Sequence, residues 1–417
     1  MNTSQGVDHD PSGTGKPPLK RSLNLTLLVL YGLGTTIGAG IYVLVGSAAG
    51  QAGIYAPLAF VVAAIGVAPT AASYAELAGR YPVSAAEAVY IEAGFHSRIM
   101  SLISGLLVTL SGIVAAAAIT IGCAGYIRIF LDIPQPVIVV AVVLAMGAVA
   151  AWGILESVLL AAVLTLIEAG GLILLIVLGF GGPDSVLDRV PEVLPATGDF
   201  AALAGVGAAS LLAVFAFIGF EDMVNVVEET RRPQITMPWA ILLTLLITTV
   251  LYALVTVVAV LTLPPAELAA SEAPLSAVYT ALTGKPPVVI SVIAIFATLN
   301  TILIQFIMSS RVIYGMASQG TLPGVLARVN AHTRTPVLAT ILVVTISAFF
   351  AFLLPLDRLA ETTSLIILMI WAMGNMALIL IKLRGEACAP EVFTVPFWVP
   401  VSGLIFCAIF VGLSLIP

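Results

Sequence analysis

GLGTTIGAGIYVLVG, residues Gly32 to Gly46, sits inside the first long apolar run of the chain. The run is long enough to cross a bilayer, yet its centre, Gly38-Ala39-Gly40, is weak helix material. An intact helix satisfies its own backbone; an interruption in lipid frees N–H and C=O groups that need other partners. Two explanations fit the stretch by itself. Small residues let neighbouring helices approach closely. Alternatively, bare backbone admits a ligand, and the N-terminus of the outer half-helix offers N–H donors and a positive dipole end to a carboxylate.

The rest of the chain has the composition of a protein that lives in lipid. Of its 417 residues, 60% are hydrophobic and only 9% charged, with a mean hydropathy of +1.14. A water-soluble chain needs about a quarter charged residues to cover its surface. With about 20 apolar residues per span, eleven candidate spans emerge. They lie near Leu25–Gly50, Ile54–Gly79, Ile99–Leu131, Pro136–Trp152, Ser157–Phe180, Phe200–Val227, Pro238–Leu263, Pro287–Ser318, Pro336–Leu354, Ala360–Lys382 and Val395–Ile416. The fold class is therefore an all-α polytopic membrane protein.

Basic residues set the expected orientation. With the N-terminus inside, twelve of the sixteen Lys and Arg fall on the cytoplasmic side, among them Lys20, Arg80, Arg231, Arg311 and Arg384. Arg128, Arg189, Lys285 and Arg358 fall outside, a bias that favours a cytoplasmic N-terminus and a C-terminus outside the cell. Residues 1–22 read as a disordered cytoplasmic tail.

The sixth span, LLAVFAFIGFEDMVNVVEETRRP, carries Gly219 in mid-run, followed at once by Glu221 and Asp222. Acids deep in an apolar run are expensive and usually face a cavity or a partner. Glu221 is expected to face the cavity; for Asp222 a cavity and the inner membrane surface are equally open. Spans one and six correspond if spans 1–5 and 6–10 form two halves. Interrupted segments in corresponding positions of two halves point to a transporter's substrate site.

Four stretches, in chain order, resemble one family. GLGTTIGAGIYVLVG is similar to the first-span signature of the amino acid–polyamine–organocation (APC) transporters. FAFIGFEDMVNVVEETRRPQITMP resembles their sixth span and the following loop, particularly in the cationic amino acid transporter branch. GRYPVSAAEAVYIEAGF (Gly79 to Phe95) and SSRVIYGMASQGTLP (Ser309 to Pro323) are similar to the loop after span two and the end of span eight.

The resemblance implies a leucine-transporter-like five-plus-five inverted repeat with broken helices 1 and 6. Its halves would be residues 23–180 and 200–384, with an additional span at 395–417. It also implies an amino acid substrate bound at the membrane midplane and moved by alternating access. Carried over by position, the substrate carboxylate would meet the backbone of Thr36, Ile37, Gly38, Ala39 and Gly40. The amino group would meet carbonyls of Phe215, Ala216, Phe217 and Ile218, and Phe215 matches the aromatic that covers substrate in relatives. For Phe217 a lipid- or helix-facing core role is the alternative.

The chain departs from the family at three points. Members that take cationic side chains can carry an acid in span three, where VTLSGIVAAAA offers only Ser111, which favours a neutral substrate. The usual twelve spans are eleven here. Where proton-coupled relatives place a Lys in span five, this chain has Glu168, a buried carboxyl suited to carrying a proton. A neutral Glu168 bonded to a neighbouring helix, or a sodium ligand with Ser309 or Ser310, are the other readings.

A proton is thus the expected coupling partner ahead of sodium, in an inner-membrane permease. An amino acid or polyamine exchanger and a non-transporting amino acid sensor are the alternatives. Cys123, Cys388 and Cys407 and the three His show no metal spacing, and no phosphate-binding loop occurs. Neither an enzyme, a cofactor, a metal nor a nucleic-acid partner is expected.

Overall fold

The computed structural model describes residues 23–38, 40–82, 86–152, 158–181, 186–195, 200–318, 320–330, 333 and 335–414. The expected tail at 1–22, and Ala39 among the expected site residues, lie outside the described residues. In chain order the helices are α1 (Leu25–Ile37), α2 (Gly40–Ala52), α3 (Ala56–Arg80), α4 (Ala86–Phe95), α5 (Arg98–Arg128), α6 (Gln135–Trp152), α7 (Val158–Gly181) and α8 (Phe200–Phe217). There follow α9 (Pro233–Thr262), α10 (Pro265–Ala270), α11 (Pro274–Thr283), α12 (Val288–Ser318), α13 (Val337–Leu353), α14 (Leu356–Leu383) and α15 (Trp398–Ser414).

Every apolar run of the sequence becomes helix. Among the described residues eight helical stretches are long and apolar enough to cross a membrane, and Leu25–Ile37, Val337–Leu353 and Trp398–Gly412 add shorter apolar helices. Two of the eleven expected spans are interrupted. The first divides into α1 and α2 at Gly38, and the sixth leaves α-helical geometry after Phe217 and resumes as a 3₁₀ segment, Glu221–Glu229. A 3₁₀ turn at Gly53–Tyr55 separates α2 from α3, so that 41 helical residues do not run on as one rod.

Helix ends are marked by local chemistry. Asn24 caps α1 by accepting the Leu27 N–H at 2.9 Å, Ser97 caps α5, and prolines open α9, α10 and α11. Trp152, Trp239 and Trp398 are exposed near helix ends, as expected of an interfacial aromatic belt, whereas Trp371 is fully buried.

Among the described residues the buried side chains form two clusters, and the division matters. One gathers residues of α1, α2, α3, α8 and α9, with α14 and α15 along its edge. The other gathers α5, α6, α12 and α13. Val43, Leu44, Leu212 and Phe215 belong to the second cluster although α2 and α8 lie mostly in the first, and Ile218 packs against both. The broken helices therefore sit at the seam.

The two ends of the bundle are closed differently. At the end that carries Leu23, Glu76 is completely buried and pairs with Arg80 at 2.8 Å and Lys382 at 2.7 Å. Its second oxygen also accepts the Val395 N–H, tying α3 to α14 and to the start of the last span. Such a buried carboxylate is tolerable because both partners and an N–H satisfy it. At the opposite end Arg128 pairs with Glu272 and Ser47 donates to Asp357, each at 2.5 Å, and Glu272, Ser47 and Asp357 line a cavity of about 570 Å³. Beside this mouth α10 rests on α2, with the Leu268 carbonyl against Gly46.

Candidate functional site

The two breaks face each other. Thr35 Oγ1, one residue before the expected site, donates to the Gly219 carbonyl at 3.0 Å. Gly219 has φ +127°, a conformation that L side chains rarely adopt, and a Cβ there would lie 2.5 Å from the Thr35 carbonyl oxygen. Gly40 opens α2 directly against α8: a Cβ on it would lie 2.5 Å from Ala216 Cα. The first explanation offered for the glycines, close packing, thus holds at Gly40. Gly40 permits close packing, and as the first residue of α2 it leads a turn whose amides have no intrahelical acceptor.

Freed carbonyls find a partner that periodicity alone does not reveal. The Tyr252 hydroxyl of α9 contacts the Thr36 carbonyl at 2.7 Å and the Ala216 carbonyl at 3.0 Å, one from each break. Its ring packs between Phe217 and Phe60. Phe217 is accordingly a core residue of the first cluster, while Phe215 turns to the second. Glu221 folds back on its own chain, Oε2 accepting the Gly219 N–H at 3.0 Å, and so caps the break rather than reaching away from it.

Around this centre the residues are buried: Thr36, Ile37, Gly38, Gly40, Phe215, Ala216 and Phe217 all are, and Ile218 is half-buried. Glu168 lies close by on α7. Tyr42 of α2 donates to its backbone carbonyl at 2.6 Å, and Tyr126 of α5 donates to the Tyr42 carbonyl at 2.5 Å. Both carboxyl oxygens of Glu168 are buried without a hydrogen-bond partner among the described residues. The expected bond to a neighbouring helix is thus made to its backbone, not to its carboxyl.

Ser309 and Ser310 stand apart from Glu168. Ser309 donates to the Thr109 carbonyl of α5 and Ser310 to the Ile307 carbonyl of its own helix. Gly171, one turn from Glu168, meets α12 at Ile293, more than four turns from Ser309. The α12 residue that reaches the break is Thr301, whose hydroxyl lies against Gly38, and Thr165 of α7 lies against Gly34. Tyr252, Thr301 and Thr165 escaped the sequence reading. A tyrosine in the middle of an apolar run was the available signal, because a buried phenol needs a hydrogen-bond partner.

The second cluster offers an apolar wall, which Phe215 shares with Ala115–Ile119 of α5 and Ile302 and Phe306 of α12. Ser111, at its edge, spends its hydroxyl on the Val108 carbonyl. Thr301 adds a hydroxyl at the first break.

Comparison with known proteins gives matches along most of the chain. Residues 23–417 match the family described as amino acid permease. The branched-chain amino acid permease BcaP of Bacillus subtilis (strain 168) is 30% identical over 94% of this chain and 88% of its own length. The methylthioribose transporter of the same organism is 28% identical over 94% of this chain and 87% of its own. A vacuolar cationic amino acid transporter 4 of Arabidopsis thaliana is 30% identical over 84% of this chain, which spans 61% of that longer protein.

Proposed function

This chain belongs to the amino acid permease family, and from that premise we propose that it transports α-amino acids with neutral, apolar side chains by alternating access. The carrying observation is the pair of broken helices facing each other at the seam between two packed clusters. A zwitterion has opposite charges at its two poles, and the breaks offer opposite dipole ends. The first-turn amides of α2 receive the carboxylate; the carbonyl end of α8, at Phe215, Phe217 and Ile218, receives the ammonium. The side chain meets Phe215 and the apolar wall of α5 and α12. That wall carries no charge to match a cationic side chain, and the similarity to a branched-chain permease points the same way.

The two repeats are residues 23–180 and 200–384, and the cluster containing α1, α2, α3, α8 and α9 moves against that of α5, α6, α12 and α13. The protein resides in the cell membrane with its N-terminus in the cytoplasm. Glu168 carries the coupling proton. An unpartnered carboxylate is expensive in such surroundings, and a bound proton removes the charge.

Uptake of radiolabelled leucine into proteoliposomes tests this. Saturable accumulation driven by an inside-alkaline pH gradient, without need of sodium, is expected. Glu168→Gln should flatten the pH dependence and cut gradient-driven accumulation at least tenfold, while leucine counterflow continues. Neither accumulation nor counterflow of any amino acid would end the transport reading. An unchanged pH profile in Glu168→Gln would leave Glu168 a structural residue.

A further inference from the structure

A cavity of about 780 Å³ opens between α4, α5 and α12 at the end of the bundle that carries Leu23. No residue of the two breaks lines it. Its α12 lining begins at Met308, seven residues and about 10 Å beyond Thr301, the residue that touches Gly38. Its walls hold Glu87 and Glu92 of α4, Arg98 at the start of α5 and Arg311 of α12. Neither guanidinium has an acidic partner within salt-bridge distance among the described residues. Leu102 and Met308 supply apolar surface between the charges.

From this arrangement we infer a second binding site for an α-amino acid, in series with the first and on the Leu23 side of it. Two unpaired guanidiniums offer the charge and the forked donors that suit a carboxylate. Carboxylates from α4 suit an ammonium group, and the apolar stretch suits an uncharged side chain. The volume falls within the range of small-molecule sites, about 300–1,000 Å³. The inference rests on the substrate class proposed above and adds a staging position between the breaks and the aqueous face.

Glu87 gives the site a pH signature. Burial, and then the neighbouring Asp222 carboxylate, push its carboxyl up to about 8. The groups around it are Glu221 and Asp222 from the 3₁₀ segment, Tyr74 from α3, Tyr90 and Glu92 from α4, and across the cavity Arg98 and Arg311. Raising the pH from 6 to 8 takes Glu87 from almost wholly protonated to about half ionised, so the second site should tighten for an ammonium at least about tenfold over that interval.

Equilibrium dialysis of tritiated L-leucine against the purified full chain at pH 8 tests the inference. Two equivalents are expected to bind. The double variant Arg98→Ala/Arg311→Ala should retain one, both side chains being exposed and unpaired so that their loss leaves no buried charge. Glu87→Gln, nearly isosteric, should weaken the same equivalent at least tenfold and abolish its pH dependence. A single equivalent in the unmodified protein, or two retained in both variants, would overturn the second site. Loss of bound anionic lipid in the arginine variant, with leucine stoichiometry unchanged, would assign the cavity to a lipid headgroup and overturn it equally. Leucine counterflow with one equivalent bound refutes this site and leaves the proposed function standing; absence of both counterflow and binding refutes the two together.

Discussion

Tyr252→Phe is expected to slow amino acid uptake about 30-fold while the protein folds and inserts. The substitution keeps the ring, and with it the contacts to Phe217 and Phe60. It removes a single hydroxyl, one that touches a freed carbonyl on each broken helix. Leaving buried carbonyls short of a partner costs about 1–3 kcal/mol. A loss near 2 kcal/mol from the state that holds the breaks together corresponds to about 30-fold in rate or population. Initial uptake rates per folded transporter in proteoliposomes check it. A rate within twofold of the unmodified protein would show that the breaks hold their relative position without this link.

Gly40→Leu should have the larger effect, a loss of more than about 100-fold in uptake. The atoms that a Cβ would strike belong to the backbone and Cβ of Ala216, so no side chain can swing aside. Overpacking of this kind typically costs about 1–3 kcal/mol in a core, more where backbone must shift. Here the displacement would fall on the segment proposed to hold the substrate's ammonium group, with the amides for its carboxylate on the other side. Gly170→Leu is the matched control: it adds the same side chain to α7, where a Cβ meets nothing within 4 Å. Equal uptake by Gly40→Leu and Gly170→Leu would contradict the assignment of the first break to the substrate path.

Sequence and structure agree best where the signal is one-dimensional. Runs of apolar residues announce each span, and weak helix formers at Gly38 and Gly219 announce the breaks, because lipid leaves the backbone few alternatives. Rotation of a helix about its own axis is much harder to read. In an aqueous protein a polar stripe marks the outer face, whereas spans such as α9 and α12 are apolar almost all round. That is why Ser309 and Ser310 could be considered beside Glu168 when their depth along α12 sets them far from it. It is also why Tyr252 and Thr301 went unnoticed. Their importance lies in which carbonyl or glycine stands opposite, a relation between segments more than 200 residues apart in Tyr252 and Thr36.

Glu221 shows a subtler limit. An acid in an apolar run signals that something must satisfy it. The partner proves to be the Gly219 N–H two residues earlier, which makes the side chain part of the break itself. Phe215 and Phe217 divide for a similar reason: two residues along a helix turn a side chain to a different neighbour, and the seam between the clusters runs between them.

An experimental structure determined with saturating leucine tests the central claim most directly. The account predicts ligand density between the two breaks, its carboxylate on the first-turn amides of α2 at Gly40 and Ile41, its ammonium on the carbonyl end of α8, and its side chain against Phe215. Leucine bound elsewhere, with no ligand density at the first turn of α2 or the carbonyl end of α8 and Tyr252 still bridging Thr36 and Ala216, would contradict it.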